Sequence, residues 1–349
     1  MGFVSDIVIG TSFGDEGKGK IVYSLLKQHK YDLCVRFNGS GNAGHTVYLD
    51  DDRVAITHQL PVGILSDGVH CLISSDCLVD ISKMKQEIAT IESLGFVVKG
   101  RLFISEACHI ITEDAIEYDK ANNKVGTTGS GIGPTYSKKM LRTGIRVSDK
   151  REEIEELGAI IVNMREFWYS KTATQYKQIL LEGAQGFELD INWTANYPYC
   201  TSSSCGVAGA INTGIPLSSI RNIYGVAKAY DTYVGTMNFQ PEGDAILEKI
   251  GSVGKEFGAT TGRKRQCNYL NLNSLIDALR YNSCNVCIIN KCDVLQKVDH
   301  FCVIQDRIKT EFSTWGVMRD WLTDRIRYAV PGIRGVVYLD SPCYSPILI

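Results

Sequence analysis

The chain has 349 residues, 44% of them apolar, and its 37 basic and 39 acidic side chains leave a net charge of −2. That composition supports a substantial core and leaves no electrostatic footprint for nucleic acid. No apolar run spans a bilayer, Asp6 interrupts the first apolar stretch, and the twelve cysteines include one lone C-x-x-C, Cys284 and Cys287, so a cytoplasmic location with reduced thiols, no secretory leader and no membrane partner is expected.

Phe3, Val4, Ile7, Val8 and Ile9 read as a buried strand, and Ile21–Lys27 as the first turns of a helix. Between them runs IGTSFGDEGKGK, Ile9 to Lys20, with glycines at Gly10, Gly14, Gly17 and Gly19. Glycines let backbone N–H groups close on an anion, and the helix N-terminus behind them adds partial positive charge. Gly14, Gly19 and Lys20 satisfy the first part of G-x-x-x-x-G-K-[ST], but Ile21 stands where the metal-holding hydroxyl would be. Asp15 and Glu16 lie inside this loop instead. A carboxylate beside a triphosphate needs a cation or a proton, so Asp15 is a metal ligand, a base, or both. The plainer alternative is a strand-to-helix turn whose acids favour the helix N-terminus.

Further along, Asp32–Arg36 reads as a strand running into FNGSGNAGHTV, Phe37 to Val47. Val54–Ile64 reads as a strand ending in a turn, Cys71–Ser74 and Leu102–Ser105 as strands, and Ile81–Leu94 and Ile116–Asn122 as helices. Gly126–Val147 is a third glycine-rich segment whose aperiodic first half is a shaped loop, followed by Lys138, Lys139, Arg142 and Arg146. Arg151–Met164 has the periodicity of a charged amphipathic helix. Ile179–Leu181 is a strand leading into EGAQGFELDINW, and Tyr197–Gly206 is rich in hydroxyls. Asn222–Ala229 and Val286–Ile289 are strands, the second ending in NKCD, Asn290 to Asp293. Phe257–Arg265, FGATTGRKR, is a fourth polar glycine loop; Leu275–Tyr281 and Thr314–Tyr328 are helical, and Gly335–Leu339 is a last strand. Strands alternating with helices, with glycine loops after the strand ends, predict an α/β fold. Its mostly parallel central sheet would be flanked by helices, with a P-loop-like phosphate loop and loop insertions, as one domain over residues 1–349.

NKCD resembles the N-K-x-D guanine reader of P-loop GTPases, yet no D-x-x-G accompanies it, which argues against a regulatory GTP switch. GDEGKGK, NAGHT, GTTGSGIGP, EGAQG, YPY-C-TSS and FGATTGRKR, in this order, resemble the adenylosuccinate synthetase family over Val8 to Asp293. The resemblance implies a homodimeric ligase that joins L-aspartate to C6 of a purine monophosphate, driven by GTP or ATP with Mg2+. It implies Asp15 as base and metal ligand, His45 as acid, Lys18 as the cation on the transferring phosphoryl, and the Gly44 carbonyl on the metal. Asn42, Thr128, Gln185, Thr201 and Val234 would hold the monophosphate, with Arg142 reaching its phosphate from the other subunit. Thr260, Thr261, Arg263 and Arg265 would bind aspartate, two guanidiniums suiting two carboxylates. Gly14, Glu16, Gly17, Lys18, Gly19, Lys20, Thr46, Lys291 and Asp293 would surround the triphosphate. Retention of Asp15, His45, Lys18 and both arginines argues against a dead scaffold.

The departures from the family pattern cluster. Ser130 stands where bacterial members have arginine. Tyr230–Asp244 replaces a pattern like YSTRVGAGPFPTE, losing its arginine at Tyr233 and its Gly-Pro at Met237–Asn238, and a C-terminal loop that packs on guanine survives only as LDSPCYSP. Catalytic loops intact beside altered nucleotide loops imply a short viral branch that uses dGMP and accepts IMP, with an ordinary IMP enzyme as the alternative.

Overall fold

A computed structural model describes residues 2–51, 53–122, 125–169, 175–258 and 262–347. The first nine strands are β1 (Val4–Gly10), β2 (Leu33–Arg36), β3 (His45–Tyr48), β4 (Val54–Thr57), β5 (His70–Ile73), β6 (Leu78–Val79), β7 (Leu102–Ser105), β8 (His109–Ile110) and β9 (Ile160–Val162). The rest are β10 (Gln178–Glu182), β11 (Ile220–Lys228), β12 (Tyr230–Tyr233), β13 (Gln266–Asn271), β14 (Val286–Asn290), β15 (Phe301–Gln305), β16 (Ile308–Phe312) and β17 (Gly335–Tyr338).

A nine-stranded sheet runs β17-β14-β11-β1-β10-β2-β5-β7-β9, with every neighbouring pair parallel. The chain fills one half outwards from β1, returns in β10 between β1 and β2, and then fills the other half. β1 therefore lies where the winding reverses, the place where ligands sit on open parallel sheets. Alternate residues serve opposite faces: Ile7, Ile9, Val35 and Leu181 pack in one core, Val8, Cys34 and Leu180 in the other. Burial on both faces is why these strands read as continuous apolar runs. A second sheet, β12-β13-β15-β16, carries the later loops.

Helix α1 (Lys18–Gln28) starts after Gly17, whose φ of 88° is the left-handed region that glycine enters freely. Helix α2 (Ile81–Ser93) is capped by the Asp80 carboxylate, which accepts from the Lys83 N–H. Helices α3 (Glu113–Ala121) and α4 (Ile132–Leu141) follow; α4 begins just after the third glycine loop, within a segment whose lack of periodicity hid it.

Two expected elements are corrected. Arg151–Met164 is not one helix: α5 (Arg151–Glu155) stops near Gly158, at φ 78°, and Ile160–Val162 pairs with β7 before α6 (Met164–Tyr169) starts. The β-branched Ile160, Ile161 and Val162 complete the sheet edge, which outweighs the helical spacing of the charges. The strand expected over Val54–Ile64 ends at Thr57. Beyond it the Glu87 carboxylate gathers the N–H groups of His58, Gln59 and Leu60, turning the chain off the ladder. All twelve cysteines are free thiols, and no helix among the described residues is long and apolar enough to cross a membrane.

Candidate active site

The loops that leave β1, β2, β10, β11 and β14 converge at the carboxyl edge of the large sheet. The phosphate loop is held open from within. Glu16 is fully buried, and its Oε1 accepts the N–H groups of Ser12 at 3.1 Å and Gly14 at 2.9 Å, while Oε2 takes the Lys18 ammonium at 2.6 Å. The charge of Glu16 thus supports the loop and Lys18; toward a phosphate it offers only backbone. Asn290, from NKCD, donates to the Glu16 carbonyl at 2.7 Å, and a Cβ on Gly17 would come within 3.0 Å of the same amide. Gly19 lies under His45, whose Cβ would meet an added methyl at 2.7 Å. These two glycines are required by close approach.

His45 is fixed by a buried network. Its Nδ1 lies 2.6 Å from Glu182 Oε1 at the end of β10, and Arg36 at the end of β2 donates to the same carboxylate oxygen. Val62 N–H donates to Glu182 Oε2 at 2.8 Å. Arg36 Nη1 also lies 3.0 Å from Nδ1, but the shorter contact is to the carboxylate, which only accepts, and it assigns the proton to Nδ1 and leaves Nε2 unprotonated. Burial, with Arg36 beside the ring, pushes the His45 pKa down to about 4. Burial opposes the charge of Glu182, but His45, Arg36 and the Val62 N–H outweigh it and hold the carboxyl at about 2. The ring is therefore neutral at pH 7.

Asp15, at φ 60°, turns its carboxylate outwards to accept from Arg265 Nε at 2.7 Å. The other edge of Arg265 meets the buried Glu256 carboxylate at 2.5 Å. Glu256 also accepts from Tyr230 Oη at 2.5 Å, and the ammonium groups of Lys228 and Lys291 stand 3.6 and 3.9 Å away. Burial works against its ionisation, yet Lys228, Arg265 and Lys291 hold it at about 2. Opposite lies a cleft of about 380 Å3 lined by Gly126, Val234, Gly235, Thr236, Arg263 and Lys264. Arg263 reaches across it to the carbonyls of Gly126 at 2.8 Å and Thr127 at 3.1 Å, joining the third and fourth glycine loops.

Of the residues singled out from the sequence, Gly14, Asp15, Glu16, Gly17, Lys18, Gly19, His45 and Arg265 come together here. Gln185, at φ 62°, passes its backbone beneath Gly14. The Asn42 amide oxygen is buried with no hydrogen-bond partner among the described residues. Thr128 donates to Ser130 Oγ at 3.0 Å, Thr201 N–H donates to the Leu189 carbonyl, and Val234 lines the cleft. Gly44 precedes β3, and Thr46 lies within it opposite Ile56. Lys20 donates to Asn290 Oδ1 at 3.5 Å and to the Ser341 carbonyl, tying α1 to NKCD and to the C-terminal loop; burial lowers its pKa to about 8. Lys291 donates to the Gly254 carbonyl at 2.8 Å, and Asp293 pairs with Lys297 at 2.7 Å. Thr260 and Thr261 lie outside the described residues. Arg142 ends α4, exposed, roughly 15 Å of helix beyond the glycine loop; the chain does not bring it to its own cleft.

Arg36, Glu182 and Glu256 escaped the sequence reading. Arg36 stands just before FNGSG, Glu182 opens EGAQG and Glu256 stands just before FGATTG, and nothing local shows which partner each meets.

A phosphate loop at the switch point of a parallel sheet, ringed by an acid, a buried histidine and two arginines, defines an α/β nucleotide enzyme. The adenylosuccinate synthetase family model matches residues 7–160 and 150–308. The adenylosuccinate synthetase of Chlorobium luteolum is 39% identical over 335 residues, 83% of this chain and 76% of that protein. That of Pelodictyon phaeoclathratiforme is 38% identical over 365 residues, 91% and 82% of the two chains. The chain belongs to the adenylosuccinate synthetase family, and is thus a ligase that forms a C–N bond. Two solved structures share the fold. Fully ligated adenylosuccinate synthetase from Plasmodium falciparum superposes with a TM-score of 0.83 at 24% identity, covering 98% of each chain. The succinoaminodeoxyadenylate synthetase of cyanophage S-2L, bound to dGMP and to dATP as an energy donor, gives 0.79 at 19% identity over 100% and 95%.

Proposed function

We propose that the enzyme joins L-aspartate to C6 of a 6-oxopurine monophosphate, with dGMP accepted at least as well as IMP. The observation that carries the ligase chemistry is the 2.7 Å contact between Asp15 and Arg265, which couples an acid in the phosphate loop to an arginine of the aspartate loop. Oxide is a hopeless leaving group, so the 6-oxygen must first be phosphorylated. Asp15 takes the N1 proton, the purine O6 attacks the γ-phosphorus, and the nucleoside diphosphate leaves. Lys18 balances charge on the transferring group, and His45, once phosphate raises its basicity, takes a solvent proton at Nε2 and donates it in a hydrogen bond to the transferring phosphoryl. The aspartate amine then adds to C6 and phosphate departs, carrying off the proton that the amine gives up. In the free chain Arg265 occupies Asp15; a substrate carboxylate competing for Arg265 releases Asp15 to act as base.

Mg2+ suits the donors present. Asp15 offers an outward carboxylate and Gly44 a loop carbonyl, and among the described residues no cluster of three His, Cys, Asp or Glu could hold a metal alone. One carboxylate plus substrate phosphates is the usual Mg2+ set. Bound there, it would neutralise charge on the phosphates.

The dGMP reading rests on the cleft wall. Val234, Gly235 and Thr236 line it, and they belong to the segment that departs most from the family pattern. A 2-amino group needs space and an acceptor, since burying its donors unpaired costs about 1–3 kcal/mol. Retained Asp15 leaves the IMP reaction chemically possible and the curated relatives favour it, so overlap is expected rather than a switch. Asp293 favours a guanine donor, while the lost glycine near Ser341 loosens that preference toward ATP. Measuring kcat/KM for IMP and dGMP, each with GTP and ATP, decides both; no product from dGMP where IMP turns over leaves an ordinary adenylosuccinate synthetase.

A homodimer sharing Arg142 belongs to the same reading. Met140 and Leu141 beside it are each 68% exposed, an apolar edge suited to a second copy. Mixing Arg142→Ala with Asp15→Asn protein should restore activity through hybrid sites; no rescue despite subunit exchange would count against sharing.

A further inference from the structure

The wall of the cleft is fastened by one amide. Gln266 opens β13, directly after Arg265. Its Nε2 donates to the carbonyls of Gly235 at 3.1 Å and Met237 at 2.8 Å. Its Oε1 accepts the N–H groups of Phe239 at 2.9 Å and Gln240 at 3.1 Å. An amide side chain has two donor hydrogens and two acceptor lone pairs, and Gln266 commits all four to residues 235–240. Its neighbours repeat the pattern: Asn268 donates to the Phe239 carbonyl at 2.9 Å, and Cys267 N–H donates to Gln240 Oε1 at 2.8 Å. The loop so held puts the Phe239 ring against Phe13 of the phosphate loop, with centroids 4.9 Å apart, and against Tyr233 at 5.8 Å. Tyr233 stands where the family pattern has arginine, so an aromatic cluster and a neutral clamp occupy a place where a charge would be expected.

We propose that Gln266 is the positioning residue that sets monophosphate selectivity, by fixing the Val234–Thr236 wall against which base and ribose are read. This rests on the reading of that wall as the monophosphate's. Gln266 makes no hydrogen bond to the phosphate loop or to Glu256 among the described residues, although its chain neighbour Arg265 bonds to both. Its loss should therefore register on the monophosphate and not on aspartate or the triphosphate.

The test is the kinetics of Gln266→Leu, which keeps bulk and removes all four bonds. The monophosphate KM should rise about tenfold to a hundredfold, and the ratio of kcat/KM for IMP and dGMP should shift from its wild-type value by more than about threefold. Saturated kcat and the KM values for aspartate and GTP should stay within about threefold of wild type. Equal rises in all three KM values would overturn the proposal. If the leucine variant does not fold, Gln266→Glu decides. It keeps the acceptor half but sets a carboxylate against the Gly235 and Met237 carbonyls, and regains a donor when protonated. Its monophosphate KM relative to wild type should then fall between pH 7.5 and 5.5, a selective recovery that a merely structural role would not give; a flat ratio overturns the clamp. Val234→Asp separates the two levels. If it leaves monophosphate KM unchanged, the wall itself is misassigned. If it raises that KM while neither Gln266 variant does, the wall stands and the clamp falls.

Discussion

The phosphate loop and the wall that faces it are built on opposite principles. Around Asp15, Lys18 and His45 the scaffold consists of buried charges, with Glu16, Glu182 and Glu256 each binding one or more cations out of water. Around Val234–Thr236 it consists of neutral amide bonds from Gln266 and Asn268 and of aromatic contacts. Buried charge is costly to disturb, because removing one partner strands the other, whereas a neutral clamp can be re-cut in small steps. An enzyme that keeps its chemistry while drifting in substrate should put the first kind of support under the reacting atoms and the second under the nucleotide.

The largest effect is expected at Asp15. Asp15→Asn should lower kcat by ~10²–10⁴ while monophosphate binding, read by calorimetry, is retained. Near wild-type kcat would remove Asp15 as the base and blur the contrast between the regions.

Glu182 is next. Glu182→Gln leaves Arg36 buried without its counter-charge, a loss on the order of 3–5 kcal/mol, and frees the His45 ring to turn. Thermal unfolding should show the loss, and kcat should fall with it. The pH dependence has a definite sign. His45 is depressed to about 4, so its contribution is complete above the ordinary histidine value near 6.5 and disappears as pH falls toward 4. Glu182 is also depressed, to about 2, so its own contribution disappears lower still, from the ordinary carboxyl range downward. Stability should decline in two steps on acidification; burial depresses His70 and His109 as well, so His45→Gln should shrink the upper step rather than remove it.

Glu256→Gln should act on one substrate more than the others. Arg265 loses the carboxylate that holds its far edge, so aspartate KM should rise by about tenfold, the value of one charged hydrogen bond. Lys291 loses a partner only 3.9 Å away, so a smaller rise for the triphosphate should follow. A rise confined to the monophosphate would place Glu256 on the wrong side of the comparison.

Lys20 should give the smallest signal. Burial lowers it to about 8, so between pH 8 and 10 it is largely neutral in the free enzyme, and an arriving triphosphate should draw a proton onto it. Calorimetry in buffers of different ionisation enthalpy should register that uptake, and Lys20→Met should remove it.

Much of this was legible beforehand. The run Ile7–Ile9 and the glycine spacing through Gly19 placed β1 and the start of α1, and the apolar run from Val286 placed β14, because these are local patterns. The helix expected over Arg151–Met164 failed because Ile160–Val162 pairs with β7, a partner far away in sequence.

What the sequence by itself determined is the chemistry at the loop tips: glycine torsions, lysine charges and the acid at Asp15 are properties of short segments, and motif order carries them to a family. The tertiary structure decided which charge meets which loop residue. Glu182 reaches His45 across 137 residues, and Arg265 reaches Asp15 across 250. The first pair forms because β2 and β10 end side by side, the second because the segment before β13 meets the loop after β1, and their energy depends on shared burial, a quantity that no single stretch of chain contains.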